Sequence, residues 1–174
     1  MELVSVVILN WNRRNDLKEG LTRLREQPYR PLEIIVVDNG STDDSVAMVR
    51  AEFPEVRLIE TGKNLGVEGY NAGFRQARGE YVLILDDDSF PAYDAITRMV
   101  SRFQADPRLG VVAFDVRSYD QFVQWEQQGR PERSETSGEK AQALAEPDYY
   151  MSLSKNPLKR GQKARRFYME IGGI

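Results

Sequence analysis

Short apolar runs alternate along the first two thirds of this chain with segments of helical periodicity. Residues 4–9, Val-Ser-Val-Val-Ile-Leu, end in the polar loop 10–14, which predicts a buried strand followed by a turn. Asn15 or Asp16 is placed to cap a helix in which Leu17, Leu21 and Leu24 form one apolar stripe, and Pro28 and Pro31 mark its exit. A second strand is predicted at 33–37. The loop 38–42 and a helix from about Asp43 follow, with Val46, Val49 and Phe53 on one side. The third strand, 56–60, leads into the Gly- and Asn-rich segment 62–66 and a helix to about Arg78, with Gly79 as its C-cap. Residues 81–85, Tyr-Val-Leu-Ile-Leu, read as the fourth, most apolar and most buried strand, and it runs directly into Asp86-Asp87-Asp88-Ser89. A helix over 93–104 and a strand over 111–116 complete the alternation.

Strands separated by helix-length segments require right-handed crossovers, so the expected fold is α/β, a doubly wound, mainly parallel sheet with helices on both faces. From Arg117 onward the periodicity weakens, and 124–145 is polar with little apolar patterning. Residues 1–116 are therefore expected to form the core, and 117–174 an irregular segment rather than a second domain.

Composition narrows the chemistry. The 174 residues include no cysteine and no histidine, which excludes disulfides, thiolate zinc sites, cysteine nucleophiles and histidine triads within this chain. Any bound metal must take oxygen ligands, which favours Mg²⁺ or Mn²⁺. A general base would have to be Asp or Glu, or failing those Lys or Tyr. Net charge −3 and a pI near 5.2 provide no basic field for nucleic acid, although 155–166 holds a local basic cluster. No run approaches the roughly 20 apolar residues of a membrane span, so the expected compartment is the cytoplasm.

The consecutive carboxylates Asp86 to Asp88 end the fourth strand, where ligands bind in open α/β sheets. If the segment stays extended, Asp86 and Asp88 point together and Asp87 points away. The pair is then a metal site, with Asp88 the direct ligand; the competing reading is a solvated acidic turn. Asp38 ends the second strand and offers its carboxylate to a base N–H or a ribose hydroxyl, or else forms an Asx turn. Asn10 and Asn12 follow the first strand. Asn64, Gly66 and Asn71 surround a helix N-terminus, where free N–H groups favour anions but turn chemistry also suffices. All of these sites fall at the same end of successive strands, as a nucleoside diphosphate would require.

The segments 4–12, 33–43, 64–66 with 71–73, and 79–81 with 85–88 resemble, in order, the motifs of family 2 glycosyltransferases, whose fold is of the GT-A type. The Asn-Trp-Asn variant is similar to members that transfer rhamnose, galactofuranose or related sugars. The resemblance implies that Leu9, Asn10, Asn12 and Asp38 hold the nucleoside and that Gly66, Asn71 and Asp87 lie beside the donor. It further implies that Asp86 and Asp88 form a Mn²⁺ or Mg²⁺ site. The implied reaction is inverting transfer from a UDP- or dTDP-linked sugar to a hydroxyl of a carbohydrate or lipid-linked acceptor, serving polysaccharide biosynthesis, with peripheral membrane association compatible with such an acceptor. The general base of that family lies in a later Glu-Asp segment, expected beyond Ile174, since 170–174 looks like the start of the Gly-rich stretch that precedes it; the chain is expected to be truncated. The alternative is a nucleotide-sugar binding module without turnover. A pyrophosphorylase or a dinucleotide-binding dehydrogenase would need Gly-rich motifs that follow none of these strands.

Overall fold

The computed structural model describes residues 1–128 and 167–170. In chain order the elements are β1 (Val4–Asn10), α1 (Arg14–Arg25), β2 (Leu32–Asp38), α2 (Ser45–Glu52), β3 (Arg57–Glu60), a 3₁₀ turn (Gly66–Gly69) running into α3 (Tyr70–Phe74), and β4 (Tyr81–Asp86). Then come β5 (Ser89–Pro91), α4 (Ala95–Ala105), β6 (Asp115–Ser118), α5 (Tyr119–Gln128) and β7 (Phe167–Glu170). The main sheet has the order β3-β2-β1-β4 and all its pairings are parallel. A smaller sheet, β5-β7-β6, combines one parallel and one antiparallel pairing.

Alternation along β1 divides the core. Val4, Val6 and Ile8 face a cluster with the α1 stripe Leu17, Leu21 and Leu24, with Met48, Val49 and Phe53 around α2, and with Ile96, Met99 and Val100 of α4. Val7 points the other way and joins Ile35 and Val37 against Tyr70 and Ala72 of α3. Helices thus cover both faces, as the alternation predicts. Gly73 permits the close approach of α3: a Cβ there would overlap Val7 and stand 3.0 Å from Val37 Cγ2.

Several local expectations shift. The α1 helix begins at Arg14, before Asn15 and Asp16, and its N-cap residue Arg13 makes no side-chain cap bond. The cap comes from the neighbouring loop, where Asp43 accepts the Arg14 N–H at 3.1 Å and the Ser45 N–H at 3.0 Å. One carboxylate therefore serves the starts of α1 and α2 together, satisfying donors a helix leaves open. The helix expected to reach Arg78 stops at Phe74, and the glycine-containing stretch before it opens as a 3₁₀ turn, glycines at 66, 69 and 73 lowering helix propensity there. Gly79 is not a left-handed C-cap; its N–H donates to Ser5 Oγ at 2.7 Å, and a Cβ would meet the Ser5 backbone nitrogen at 2.6 Å.

The fourth strand is not the most buried one. β4 lies at the edge of the main sheet, and Val82 and Ile84 are 43% and 52% exposed, whereas β1 is enclosed between neighbours. Residues 111–114 lack regular structure and the strand starts at Asp115. The segment from Arg117 opens with regular elements, the end of β6 and all of α5. β7 adds a further regular element to that stretch, while 129–166, with the basic cluster at 155–166, and 171–174 lie outside the described residues. Among the described residues no helix is long and apolar enough to cross a membrane.

Candidate functional site at the carboxyl edge of the main sheet

The chain steps outward from β1 to β2 to β3, then returns to place β4 on the other side of β1. That reversal opens a crevice at the carboxyl ends of β1 and β4, the position where open α/β sheets bind ligands. Asn10 pairs with Asp38 across β1 and β2, and Leu9 pairs with Asp86 across β1 and β4. The register therefore brings the candidates from three strands onto one edge.

Asn10 is fully buried, and its Nδ2 donates to Asp38 Oδ1 at 3.0 Å and to Ser41 Oγ at 3.1 Å. Asn10 Oδ1 has no partner. The second Asp38 oxygen accepts the Ser41 N–H at 2.9 Å, so Asp38 forms the Asx-type turn and still borders the crevice. Asn12 adopts a left-handed φ of 55°, and its Oδ1 accepts the Thr42 N–H at 2.7 Å and the Asp43 N–H at 3.3 Å. Its amide oxygen is used to hold two loops together, which leaves the Nδ2 group for other contacts. Between the starts of α1 and α2 lies an open groove of about 770 Å³ lined by residues 12–16 and 42–44.

On the far side, Asn39 is buried and acts as a clamp. It donates from Nδ2 to Asn64 Oδ1 and to the Gly66 carbonyl, each at 3.0 Å, and accepts the Leu65 N–H at 3.0 Å. Gly66 has a φ of 60° and Asn71 is exposed in the first turn of α3. Gly66 lies in the loop that Asn39 ties down.

The acidic segment does not stay extended. The strand ends at Asp86, and Asp87 and Asp88 form a turn before β5. The carboxylates are accordingly sorted differently from simple alternation: Asp86 Oδ1 accepts the Tyr70 hydroxyl at 2.7 Å, while Asp87 and Asp88 share Arg13 at 3.6 and 3.4 Å. Asp87 also accepts the Trp11 N–H at 3.0 Å. Burial pushes the Asp87 carboxyl up to about 6; the Trp11 N–H and Arg13 oppose the rise, and the Asp88 and Asp86 charges add to it. Burial likewise raises Asp88, against Arg13 and with help from Asp86. Burial, then the bond to Asp86, holds the Tyr70 phenol far above its ordinary range, so it remains a hydrogen-bond donor.

These residues fit a hard divalent cation in a specific sense. Burial and mutual repulsion leave the Asp87 and Asp88 charges incompletely compensated, and the available donors are oxygens. Among the described residues no cluster of three or more potential ligands forms a cage. A cation here would take one or two carboxylates and complete its shell from water and phosphate oxygens, as Mg²⁺ usually does. Sequence reasoning did not single out Arg13, Asn39, Ser41, Asp43 or Tyr70. Their long-range roles depend on partners 22 to 75 residues away for the loop residues, and for Tyr70 on a hydroxyl that reaches from α3, packed on β1 and β2, to Asp86 at the end of β4.

The family model described as "Glycosyl transferase family 2" matches residues 5–161. An uncharacterized glycosyltransferase of Haemophilus influenzae is 30% identical over 105 residues, covering 58% of this chain and 42% of that protein. The succinoglycan biosynthesis protein ExoO of Rhizobium meliloti is 33% identical over 131 residues, 71% of this chain and 38% of its own length. Among solved structures, the mannosyltransferase PcManGT from Pyrobaculum calidifontis, in complex with GDP-Man and Mn²⁺, superposes with a TM-score of 0.61 at 32% identity. It spans 70% of this chain, which covers 38% of it. S. aureus TarS in complex with UDP-GlcNAc, at 24% identity and a TM-score of 0.56, shares the fold, with coverage of 65% and 32%. The chain spans about two fifths of the length of the curated relatives it matches.

Proposed function

Because this chain belongs to glycosyl transferase family 2, we propose that it forms the donor-binding part of an enzyme that transfers a sugar from a nucleotide-diphosphate sugar to a hydroxyl acceptor. The observation that carries the reading is the convergence of Asn10, Asp38 and the Asp86 to Asp88 turn on one crevice at the sheet's carboxyl edge. In this reading Leu9, Asn10, Asn12 and Asp38 contact the nucleoside, and Gly66 and Asn71 border the donor. Asp86, Asp87 and Asp88 present oxygens to a divalent cation, with Asp88 as a direct ligand. PcManGT, whose structure contains GDP-Man and Mn²⁺, supports a divalent requirement.

Such a cation supplies positive charge where the diphosphate leaves. The chain's own residues do the rest of the positioning. Tyr70 holds one Asp86 oxygen, Asn10 and Ser41 hold Asp38, and Asn39 fixes the loop beside the donor. Transfer is proposed to proceed with inversion, the acceptor hydroxyl attacking the anomeric carbon from the face opposite the diphosphate. We assign residues 1–116 to donor binding and 117–174 to the acceptor side.

The test is thermal unfolding with UDP, GDP or dTDP, each with Mn²⁺ or with EDTA. At about 100 times the dissociation constant a ligand stabilises by roughly 2.7 kcal/mol, which for a chain of this size raises Tm by about 5 to 10 °C. The shift is expected only with the cation, and Asp88→Ala should abolish its metal-dependent part. An equal shift in EDTA, or an undiminished one in Asp88→Ala, favours the solvated-turn reading of the acidic segment.

A further inference from the structure

Arg13 has no place in the roles assigned so far, yet its guanidinium lies between α1 and the acidic turn. Nη1 lies 3.4 Å from Asp88 Oδ2 and 3.4 Å from Asp16 Oδ2, and Nε lies 3.6 Å from Asp87 Oδ1. These separations exceed the 2.7–2.9 Å of a tight charge-assisted pair, and no carboxylate is gripped by a bidentate fork. One cation is thus shared loosely among Asp16, Asp87 and Asp88, and the arginine side chain, one-third exposed, also lines the groove between the starts of α1 and α2.

We propose that Arg13 is a displaceable counter-cation: it neutralises Asp87 and Asp88 while the site is empty, yields their oxygens to the metal, and then turns to the donor's diphosphate. The proposal deepens the donor-site reading and rests on it. A divalent ion bound through Asp88 Oδ2 or Asp87 Oδ1 needs the very oxygens that face the guanidinium, and two cations at one carboxylate pair repel each other. A diphosphate brings the anion that lets both cations stay. Metal alone is therefore resisted by Arg13, whereas metal with nucleotide is favoured by it, and the two ligands load cooperatively.

The measurement is Mn²⁺ binding to the full 174-residue chain, followed by the loss of the free-ion electron paramagnetic resonance signal. It is made with Mn²⁺ alone and then with whichever of UDP, GDP and dTDP most raises the wild-type Tm. In Arg13→Gln, Mn²⁺ alone should bind about tenfold more tightly than in wild type, and the strengthening of Mn²⁺ binding by nucleotide should shrink by about tenfold. Arg13→Lys should stay near wild type in both. Arg13→Met serves as a second neutral variant should Arg13→Gln not fold. Equal or weaker Mn²⁺ binding in the folded neutral variant overturns the proposal, as does undiminished coupling; a merely structural arginine would lose metal affinity on removal, not gain it. Asp88→Asn separates the two levels of inference. If wild type binds Mn²⁺ and Asp88→Asn does not, the donor-site reading stands whatever Arg13 does; if no variant binds Mn²⁺, both fall.

Discussion

Replacing Asp87 with Asn removes a charge while keeping the shape and an oxygen that can accept the Trp11 N–H. In the folded protein burial raises this carboxyl from an ordinary 3.8 to about 6, even with Arg13 nearby. Between about pH 4 and 6 the folded chain therefore holds a proton that the unfolded chain has released, so the stability Asp87 contributes is present below pH 4 and lost as pH rises through 6. The distance between those values corresponds to about 3 kcal/mol, and solvent screening of this incompletely buried carboxyl reduces it to about 1–2 kcal/mol. Asp87→Asn is thus expected to be more stable than wild type at pH 7.5 by that amount, a rise in Tm of about 2 to 8 °C. The advantage should disappear below pH 4, where wild-type Asp87 is itself neutral. Urea unfolding of both proteins at pH 7.5 and just below pH 4 measures the difference directly. A variant that is less stable at pH 7.5, or equally advantaged at both pH values, would refute the reasoning, because the charge would then not be the source of the tension. The gain in stability should be accompanied by weaker Mn²⁺ binding, the trade-off expected where a functional site holds uncompensated charge.

The same titration predicts that Mn²⁺ affinity of wild type falls as pH drops below about 6, since a protonated Asp87 no longer offers an anion; a pH series of Mn²⁺ titrations checks this, and a flat profile from pH 7.5 to 5 counts against it. Gly73→Ala should cost about 1–2 kcal/mol net, since overlap with Val7 and Val37 outweighs the helix-propensity gain of under about 1 kcal/mol; denaturant unfolding reads it, and a stabilised variant means α3 lifts off the sheet freely. Asp43→Ala removes the shared cap of α1 and α2 and should lose about 1–2 kcal/mol, with amide exchange at Arg14 and Ser45 speeding up together; faster exchange at one alone would show that the carboxylate does not bridge the helices.

The strands and the ends of the main parallel sheet were legible in the sequence because each apolar run stops at a polar residue: Leu9 before Asn10, Val37 before Asp38, Leu85 before Asp86. Parallel pairing then aligns those stops, so the convergence of the site followed from the pattern. The helix starts were less legible, because the cap of α1 comes from Asp43, far along the chain, and local cap signals at Asn15 and Asp16 compete with it. Alternation misjudged the acidic segment for a related reason. It applies to extended chain, and the chain turns at Asp87, after which Arg13 and Tyr70 decide which carboxylate points where. Strand burial also misled for β4, whose apolar residues suit either a central strand or an edge with one covered face.

Carboxylates at the two edges of the sheet have opposite fates, and the contrast bears on which edge works. At the amino edge Glu33 accepts the Ser5 hydroxyl at 2.5 Å, the Arg78 N–H at 2.6 Å and the Arg78 guanidinium at 3.0 Å. Burial raises its pKa, but these donors outweigh burial and hold it below the ordinary range. That ion pair closes the α3 to β4 connection and needs nothing further. At the carboxyl edge burial wins instead: Asp87 and Asp88 sit higher than ordinary carboxylates with a loose guanidinium as their counter-charge. A fold able to satisfy an acidic side chain with three donors at one edge leaves two of them underserved at the other, on a turn where extra donors would be easy to supply. The natural complement of that deficit is a cation arriving from solvent, and the crevice beside it is where the sheet's strand order opens.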